Sequence, residues 1–290
     1  MVDTVHVLRR PKGMPTSPPL GKSSWSASKV VANLVVIVLG IFFVAPMIWL
    51  VTASVDSHAS WQLKMPELTA ANFIEALQPD YLHALWNSLL LSVVSAAVAT
   101  VVAFFAAYSF SRHHIPWKGP ILLTILFLSG VPITILIVPI YKMFLYMGWL
   151  SLFPTSILLA VTALPFEIYL IKNSIDAIPL DLEEAAAIER AGTIDVLRRV
   201  VLPLTMPGIA SAAIFGFVNA WGSFLIPIVL ITEFSELPSP VRMYGFISSS
   251  GIHYGTVAAF SIIYSLPVVA LYLFMSNSFK NGFVLGGAVK

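Results

Sequence analysis

Between Val30 and Val55 the chain carries no charged side chain. The same holds from Tyr81 to Ser111, from Pro120 to Tyr141, from Met206 to Ile231 and from Thr256 to Phe279. A further apolar stretch, residues 154–175, is interrupted only by Glu167 and Lys172. As helices, segments of about 20 apolar residues match the ~30 Å thickness of bilayer hydrocarbon, which offers no partner to an unsatisfied backbone group. The pattern predicts an all-α integral membrane protein with six transmembrane helices. Composition agrees: 10% of the 290 residues are charged and the mean hydropathy is +0.89, against about 25% charged in soluble domains. A net charge of +2 leaves no electrostatic footprint for nucleic acid. The absence of cysteine excludes disulfides, iron–sulfur clusters and thiolate metal sites.

Residues 1–28 are rich in Pro and Ser, with Arg9, Arg10, Lys12 and Lys22, and are expected to form a disordered cytoplasmic tail. Gly21-Lys22-Ser23 resembles the end of a phosphate-binding loop, but Thr16 stands where the first glycine belongs and no strand precedes it. The first apolar run is too long for a signal-peptide core. Residues 29–279 then form the six-helix transmembrane domain, and 280–290 a cytoplasmic tail. Small residues recur along the second run at Ser92, Ala96, Thr100, Ala103 and Ala107, and along the fifth at Gly208, Ala212, Gly216 and Ala220. Both stripes suit close helix packing. Six spans put both termini on one side. With the amino terminus inside, thirteen Lys and Arg lie inside and only Lys64, Lys142 and Arg242 outside, a strong positive-inside bias.

One polar stretch breaks the apolar pattern. Residues 178–207 hold eight of the thirty charged residues, so this hairpin belongs in water, on the cytoplasmic side by the charge bias. Asp181 with Glu184 three residues on reads as a helix start close to a capping box. Leu182, Ala185, Ala186 and Ile188 give that helix an apolar, mostly small surface. Gly192 punctuates, and Thr193 is expected to cap a second short helix with Asp195 in its first turn and Arg198-Arg199 towards its end. Pro203 and Pro207 are expected to close the unit. A small-surfaced charged knob on an apolar protein suits docking to a soluble partner.

The hairpin carries a family resemblance. Glu184-Ala185-Ala186, followed at fixed spacing by Arg190, Val200, Leu202 and Pro203, is similar to the E-A-A-x3-G-x9-I-x-L-P signature of permease subunits of ATP-driven (ABC) importers. Arg190 stands where the family has Gly, and Val200 replaces Ile; Gly192 is expected to take over the backbone role. Residues 106–119, 138–159 and 164–186 resemble carbohydrate-importer permeases of the MalG type. So do Leu68-Thr69, Asn72-Phe73, Asn87-Ser88 and the terminal GGAVK. Trp221-Gly222-Ser223-Phe224 departs from the W-N-[DE]-[FY] of many relatives.

The resemblance implies an ABC type I importer permease fold with a coupling-helix hairpin at 178–205. It also implies a division of labour among two cytoplasmic ABC ATPase subunits that bind ATP and Mg, this chain without a cofactor, a second homologous MalF-like permease, and an extracellular or periplasmic sugar-binding protein. ATPase docking would fall to Glu184, Ala185, Ala186, Ile188, Arg190, Gly192, Leu202 and Pro203. Glu184 would pair with a basic residue of the ATPase while also capping its helix; Leu202 and Pro203 would end the hairpin and admit the fifth span. Arg198-Arg199 is either a docking patch or a lipid-headgroup contact, and Lys142 snorkels to headgroups.

For the translocation pathway the candidates are Glu167, Asn219, Trp221 and Tyr141. A carboxylate within a span lines a wet pathway or bonds a neighbouring helix, and both readings of Glu167 stand. The aromatics, with Tyr264, either stack on a sugar ring or pack helices. No catalytic constellation is present: His113 and His114 are adjacent rather than at helical metal-ligand spacing. The alternatives are an ABC permease for a solute such as glycerol-phosphate or a polyol, an ion-driven secondary transporter, which would carry inverted repeats and charged pairs within the membrane, and an intramembrane enzyme.

Overall fold

A computed structural model of the chain describes residues 27–62, 64–248 and 251–287, with backbone alone at 27–28 and 275–287. The tails expected at 1–28 and 280–290 lie outside the described residues at 1–26 and 288–290; where they are described they are corrected, since 27–28 begin α1 and 280–287 continue α12 as helix. The described chain is helical: α1 Ala27–Ser54, α2 Ala71–Ala76, α3 Pro79–Arg112, α4 Lys118–Ser129, α5 Ile137–Met147, α6 Leu152–Asp176, α7 Asp181–Ile188, α8 Thr193–Val196, α9 Leu202–Trp221, α10 Leu225–Leu230, α11 Ser239–Met243 and α12 Tyr254–Gly287. Two short strands, β1 Ile247–Ser248 and β2 Gly251–Ile252, pair antiparallel. Five helices are long and apolar enough to cross a membrane, and a sixth crossing is available if the bent pair α4 and α5 counts as one.

The chain divides into two units, residues 1–48 and 49–290. The first contributes the apolar helix α1 through Ile48. The second is organised on α3, α6 and α9, which pack on one another more extensively than any other elements. Their contact is made by small residues. Ser92, Ala96, Thr100, Ala103 and Ala107 on α3 are all buried, as are Ala160 and Ala163 on α6 and Ala212, Gly216 and Ala220 on α9. A Cβ built on Gly216 would stand 2.2 Å from Glu167 Oε1, and one on Gly208 would stand 1.9 Å from Ser174 Oγ. Both stripes pack as expected, because only small side chains let the helix backbones approach this closely.

Three expected boundaries are corrected. The third span is two helices, α4 and α5, bent by 77° at their junction. Gly130 and Pro132 lie in the break, and a proline disfavours helical geometry at the residue before it, here Val131. The fifth span ends at Trp221 rather than Ile231, and Leu225–Leu230 forms a separate helix. Pro203 and Pro207 do not close the hairpin: a continuous helical run extends from Thr193 to Trp221. Between α8 and α9 it widens into a π-turn at Leu197–Val201. Pro203 has no N–H to return to the Arg199 carbonyl, so the helix widens where that bond is lost and continues.

Side-chain bonds to backbone tie the loops at the amino-terminal end of α3. Asn72 Nδ2 donates to the carbonyls of Ser54 and Asp56 at 3.1 and 2.9 Å. Asn87 Nδ2 donates to Ser235 O at 2.7 Å, and Ser88 Oγ accepts from Ser239 N at 2.7 Å. Burial pushes the Asp56 carboxyl up, but the N–H groups of His58 and Glu67 and the Lys64 ammonium outweigh it and hold it below the usual carboxylate range.

Candidate functional site

The hairpin lies at the opposite end of α3. In α7 the run Asp181-Leu-Glu-Glu places three carboxylates in the first turn, where the exposed N–H groups of a helix start favour negative charge. Adjacent carboxylates point to different faces, since successive helical residues are ~100° apart. Glu183 turns inward and is 8% exposed. Its Oε1 accepts from Arg112 Nε at 2.7 Å and its Oε2 from Tyr108 Oη at 3.2 Å. Arg112 also donates through Nη2 to the carbonyls of Ile175 and Ile178 at 3.1 and 2.9 Å. Glu184 turns outward and is exposed with Ala185. Leu182, Ile188 and Ile194 are 46%, 83% and 80% exposed. Ile188, one turn after Glu184, lies on the same side of α7.

The expected caps are absent. The residue preceding α7 is Leu180, with no side-chain cap bond, so Glu184 does not cap its own helix. Gly192, not Thr193, precedes α8, again without a side-chain bond. The turn also differs from expectation. Arg190 itself holds the left-handed conformation, at φ 63°, whereas Gly192 is extended at φ −69°, ψ 160°. Gly192 therefore does not take over the backbone role of the signature glycine; Arg190 keeps it. Beyond the turn, exposed Asp195 and Arg199 pair at 3.3 Å, an arrangement of small energetic value. Val196 and Val201 are buried in one cluster with Ala103, Phe104, Ala107, Ile168, Ile171 and Ile175, and Leu202 packs against it. Pro203 is exposed at the start of α9. The base of the hairpin is thus continuous with the core of the spans.

The intramembrane candidates separate. A cavity of about 520 Å³ opens at the break between α4 and α5, lined among others by Ser129, Thr162, Pro165, Asn219 and Ser223. Of the four pathway candidates, Asn219 alone lines it. Glu167 is fully buried where α3, α6 and α9 meet, its Oε2 accepting from Thr100 Oγ1 at 3.0 Å, so it bonds a neighbouring helix rather than lining the cavity. Trp221 is 3% exposed, stacked on Phe217 at 5.4 Å and on Tyr264 at 4.9 Å between centroids, which makes it a packing residue. Tyr264 donates its hydroxyl to the Trp221 carbonyl. Tyr141 is half-buried against Phe144, Leu159 and their neighbours, outside the cavity lining.

Sequence reasoning missed Arg112 and Glu183. Glu183 beside Glu184 reads as one more solvated carboxylate, and Arg112 as one more positive-inside charge 71 residues upstream. The available signal was that Arg112 ends a long apolar helix one position beyond its last small-residue turn.

A family model described as "Binding-protein-dependent transport system inner membrane component" matches residues 99–280. The sulfoquinovosyl glycerol transport system permease protein SmoH of Agrobacterium fabrum is 29% identical over 94% of this chain and 97% of its own. The trehalose transport system permease protein SugB of Mycobacterium tuberculosis is 28% identical over 84% and 92%. In the crystal structure of a bacterial ABC transporter involved in the import of the acidic polysaccharide alginate, one chain superposes with a TM-score of 0.74 over 89% of this chain and 100% of its own, at 19% identity. At that identity the likeness is one of fold.

Proposed function

The chain belongs to the family of binding-protein-dependent transport system inner membrane components, and from that membership we propose that it is the permease subunit of an ATP-driven sugar importer. One observation carries the proposal: the hairpin exposes the apolar side chains of Ala185, Ile188 and Ile194 together with the carboxylate of Glu184. Burying such a surface in a cleft of a soluble subunit would release ordered water at about 25 cal/mol per Å². A desolvated carboxylate there requires a basic partner. Partner ATPase subunits supply nucleotide chemistry, and their closure moves the hairpin. Nucleotide drives the cycle only by binding one state of the assembly better than the other.

The cargo reading rests on the named cargoes of SmoH and SugB, both glycosides. It agrees with a cavity that mixes Ser129, Thr162, Asn219 and Ser223 with apolar wall and contains no ionic side chain in its lining. The hydroxyls and the amide of that lining can exchange hydrogen bonds with the hydroxyl groups that a sugar presents. A second permease completes the pathway, an external binding protein delivers the solute, and the hairpin faces the cytoplasm of a prokaryotic plasma membrane.

The test is Glu184→Lys in the complex purified through a tag on this chain. The expected outcome is at least a tenfold loss of copurifying ATPase, because a like charge meets the basic partner, with the chain still inserted in the membrane. Undiminished copurification refutes docking through Glu184. Uptake of labelled trehalose, diacetylchitobiose and glycerol-3-phosphate into proteoliposomes tests the cargo class. Uptake of glycerol-3-phosphate alone refutes the sugar reading.

A further inference from the structure

The two adjacent carboxylates of α7 divide the work of the hairpin, and the inward one has a function that the docking reading leaves unassigned. A guanidinium offers five N–H donors in a rigid fork. Arg112, at the last position of α3, spends its donors on three different elements. Nε goes to Glu183 of α7 at 2.7 Å. Nη2 goes to Ile175 O at 3.1 Å, in the last turn of α6, and to Ile178 O at 2.9 Å, two residues beyond its end. Nη1 reaches Ser111 Oγ at 3.4 Å on its own helix. Tyr108, one turn back on α3, donates to the other oxygen of Glu183 at 3.2 Å. The side chains of Arg112 and Glu183 are 13% and 9% exposed. Few water molecules can reach in to replace these bonds, and separating the pair would leave a buried charge uncompensated.

Apart from this arrangement, α7 is held to the spans by apolar packing, through Ile178 in the linker 177–180 and through Ala186, both against the cluster of Ala103, Ala107, Ile171 and Ile175; Arg112 and Glu183 add the directional tie that such packing lacks. We infer that Arg112 and Glu183 are positioning residues that clamp α7 to the ends of α3 and α6, so that displacement of the docked hairpin enters both spans as a rigid-body movement. The surrounding charges suit that purpose. Ser111 Oγ donates to Asp176 Oδ1 at 2.5 Å, and Lys172 pairs with Asp176, so the end of α6 is bonded to α3 by a second route. Lysine at position 112 would keep the charge but offer a single nitrogen, unable to hold a carboxylate and two carbonyls in one plane. Glutamine at 183 would keep the acceptor oxygen and the size while removing the charge. The inference rests on the docking reading for the origin of the force, and adds the route by which that force travels.

The chain has no cysteine, which permits spin labels at Ala187→Cys on α7 and Ser109→Cys on α3, both exposed. Distances are measured by pulsed electron resonance in the tagged complex, nucleotide-free and after trapping with MgATP and vanadate. With the pair intact, the two distance distributions superpose. With Arg112→Lys, and separately with Glu183→Gln, trapping shifts or broadens the distribution while the ATPase remains bound. The clamp is overturned if trapping changes the distance with the pair intact, or leaves it unchanged in both variants. It is also overturned if both variants lose the ATPase, since the pair would then only fold the docking helix. Glu184→Ala in the same background separates the two readings: ATPase retained on that variant sinks docking, whatever the distances show.

Discussion

Arg190 holds a backbone conformation that a side chain resists. At φ 63° its Cβ crowds the following carbonyl, a strain on the order of 1 kcal/mol for a residue other than glycine. The signature spacing marks this position as one where relatives place glycine, yet the nearest glycine in the sequence, Gly192, sits in an ordinary extended conformation with open space where a Cβ would go. Residue identity pointed to position 192; the chain path, set by how α7 must turn back towards α8, keeps the left-handed seat at 190. Arg190→Gly should therefore raise the melting temperature of the detergent-solubilised protein. Glycine's larger unfolded-state entropy takes back part of the gain, so the rise should be about 1–2 °C for a chain of this size. Gly192→Ala should leave it within about 1 °C by the same scale. A melting temperature that falls on Arg190→Gly and also on Gly192→Ala would contradict the assignment of strain. The same limit on reading identity explains Glu183. Two neighbouring glutamates are alike as letters, and only the placement of α7 against Arg112 makes one a structural ion pair and leaves the other facing outward.

Among the elements, the small-residue stripes were legible in the sequence and the helix ends were not. A spacing of four residues between Gly, Ala, Ser and Thr is a local property of one helix; α3 buries its stripe and α9 buries Ala212, Gly216 and Ala220, with Gly208 half-buried against Ser174. The breaks depend on what lies beside a helix. Charge-free residues 120–141 pass any hydropathy test for a straight span, although Gly130 and Pro132 carried the signal for the bend between α4 and α5. Pro203 and Pro207 gave the converse error: read as terminators, they are absorbed, one at the start of α9 and one inside it. Gly216 is a point where the three central helices leave no room for a side chain. A methyl group there would stand 2.2 Å from Glu167 Oε1 and 3.4 Å from Ala96 Cα. Glu167 is fully buried and bonded to Thr100, so any retreat of its carboxylate displaces packed neighbours. Gly216→Ala should destabilise the bundle by about 1–3 kcal/mol, the range for overpacking a core, seen as a lower midpoint of thermal unfolding in detergent. Gly216→Ala combined with Glu167→Gln should recover little, because the amide fills the same space. Recovery with Glu167→Ala would locate the clash at the carboxylate.

At the scale of the molecule, α3 fixes how far the hairpin stands from the loops at the other end. Its 34 residues span about 51 Å at ~1.5 Å per residue, well beyond ~30 Å of hydrocarbon. Its two ends therefore reach water on opposite sides. The amino-terminal end follows, through α2, the loop containing Lys64 and Met65, and the carboxyl-terminal end, through Arg112, meets the hairpin. On the proposed reading the hairpin faces the cytoplasm, as the positive-inside bias expects, and a cysteine-free chain allows that to be tested directly. Met65→Cys, at a position 92% exposed, should react with a membrane-impermeant maleimide in intact cells. Ile194→Cys, at a position 80% exposed, should react only after permeabilisation, and more slowly in the intact complex than after the ATPase is stripped away. Reaction of Ile194→Cys from outside would invert the whole arrangement and remove the hairpin from any cytoplasmic engine. Reaction from inside at one rate, with and without the ATPase, would keep the orientation but leave the exposed apolar face of α7 and α8 without the occupant its chemistry calls for.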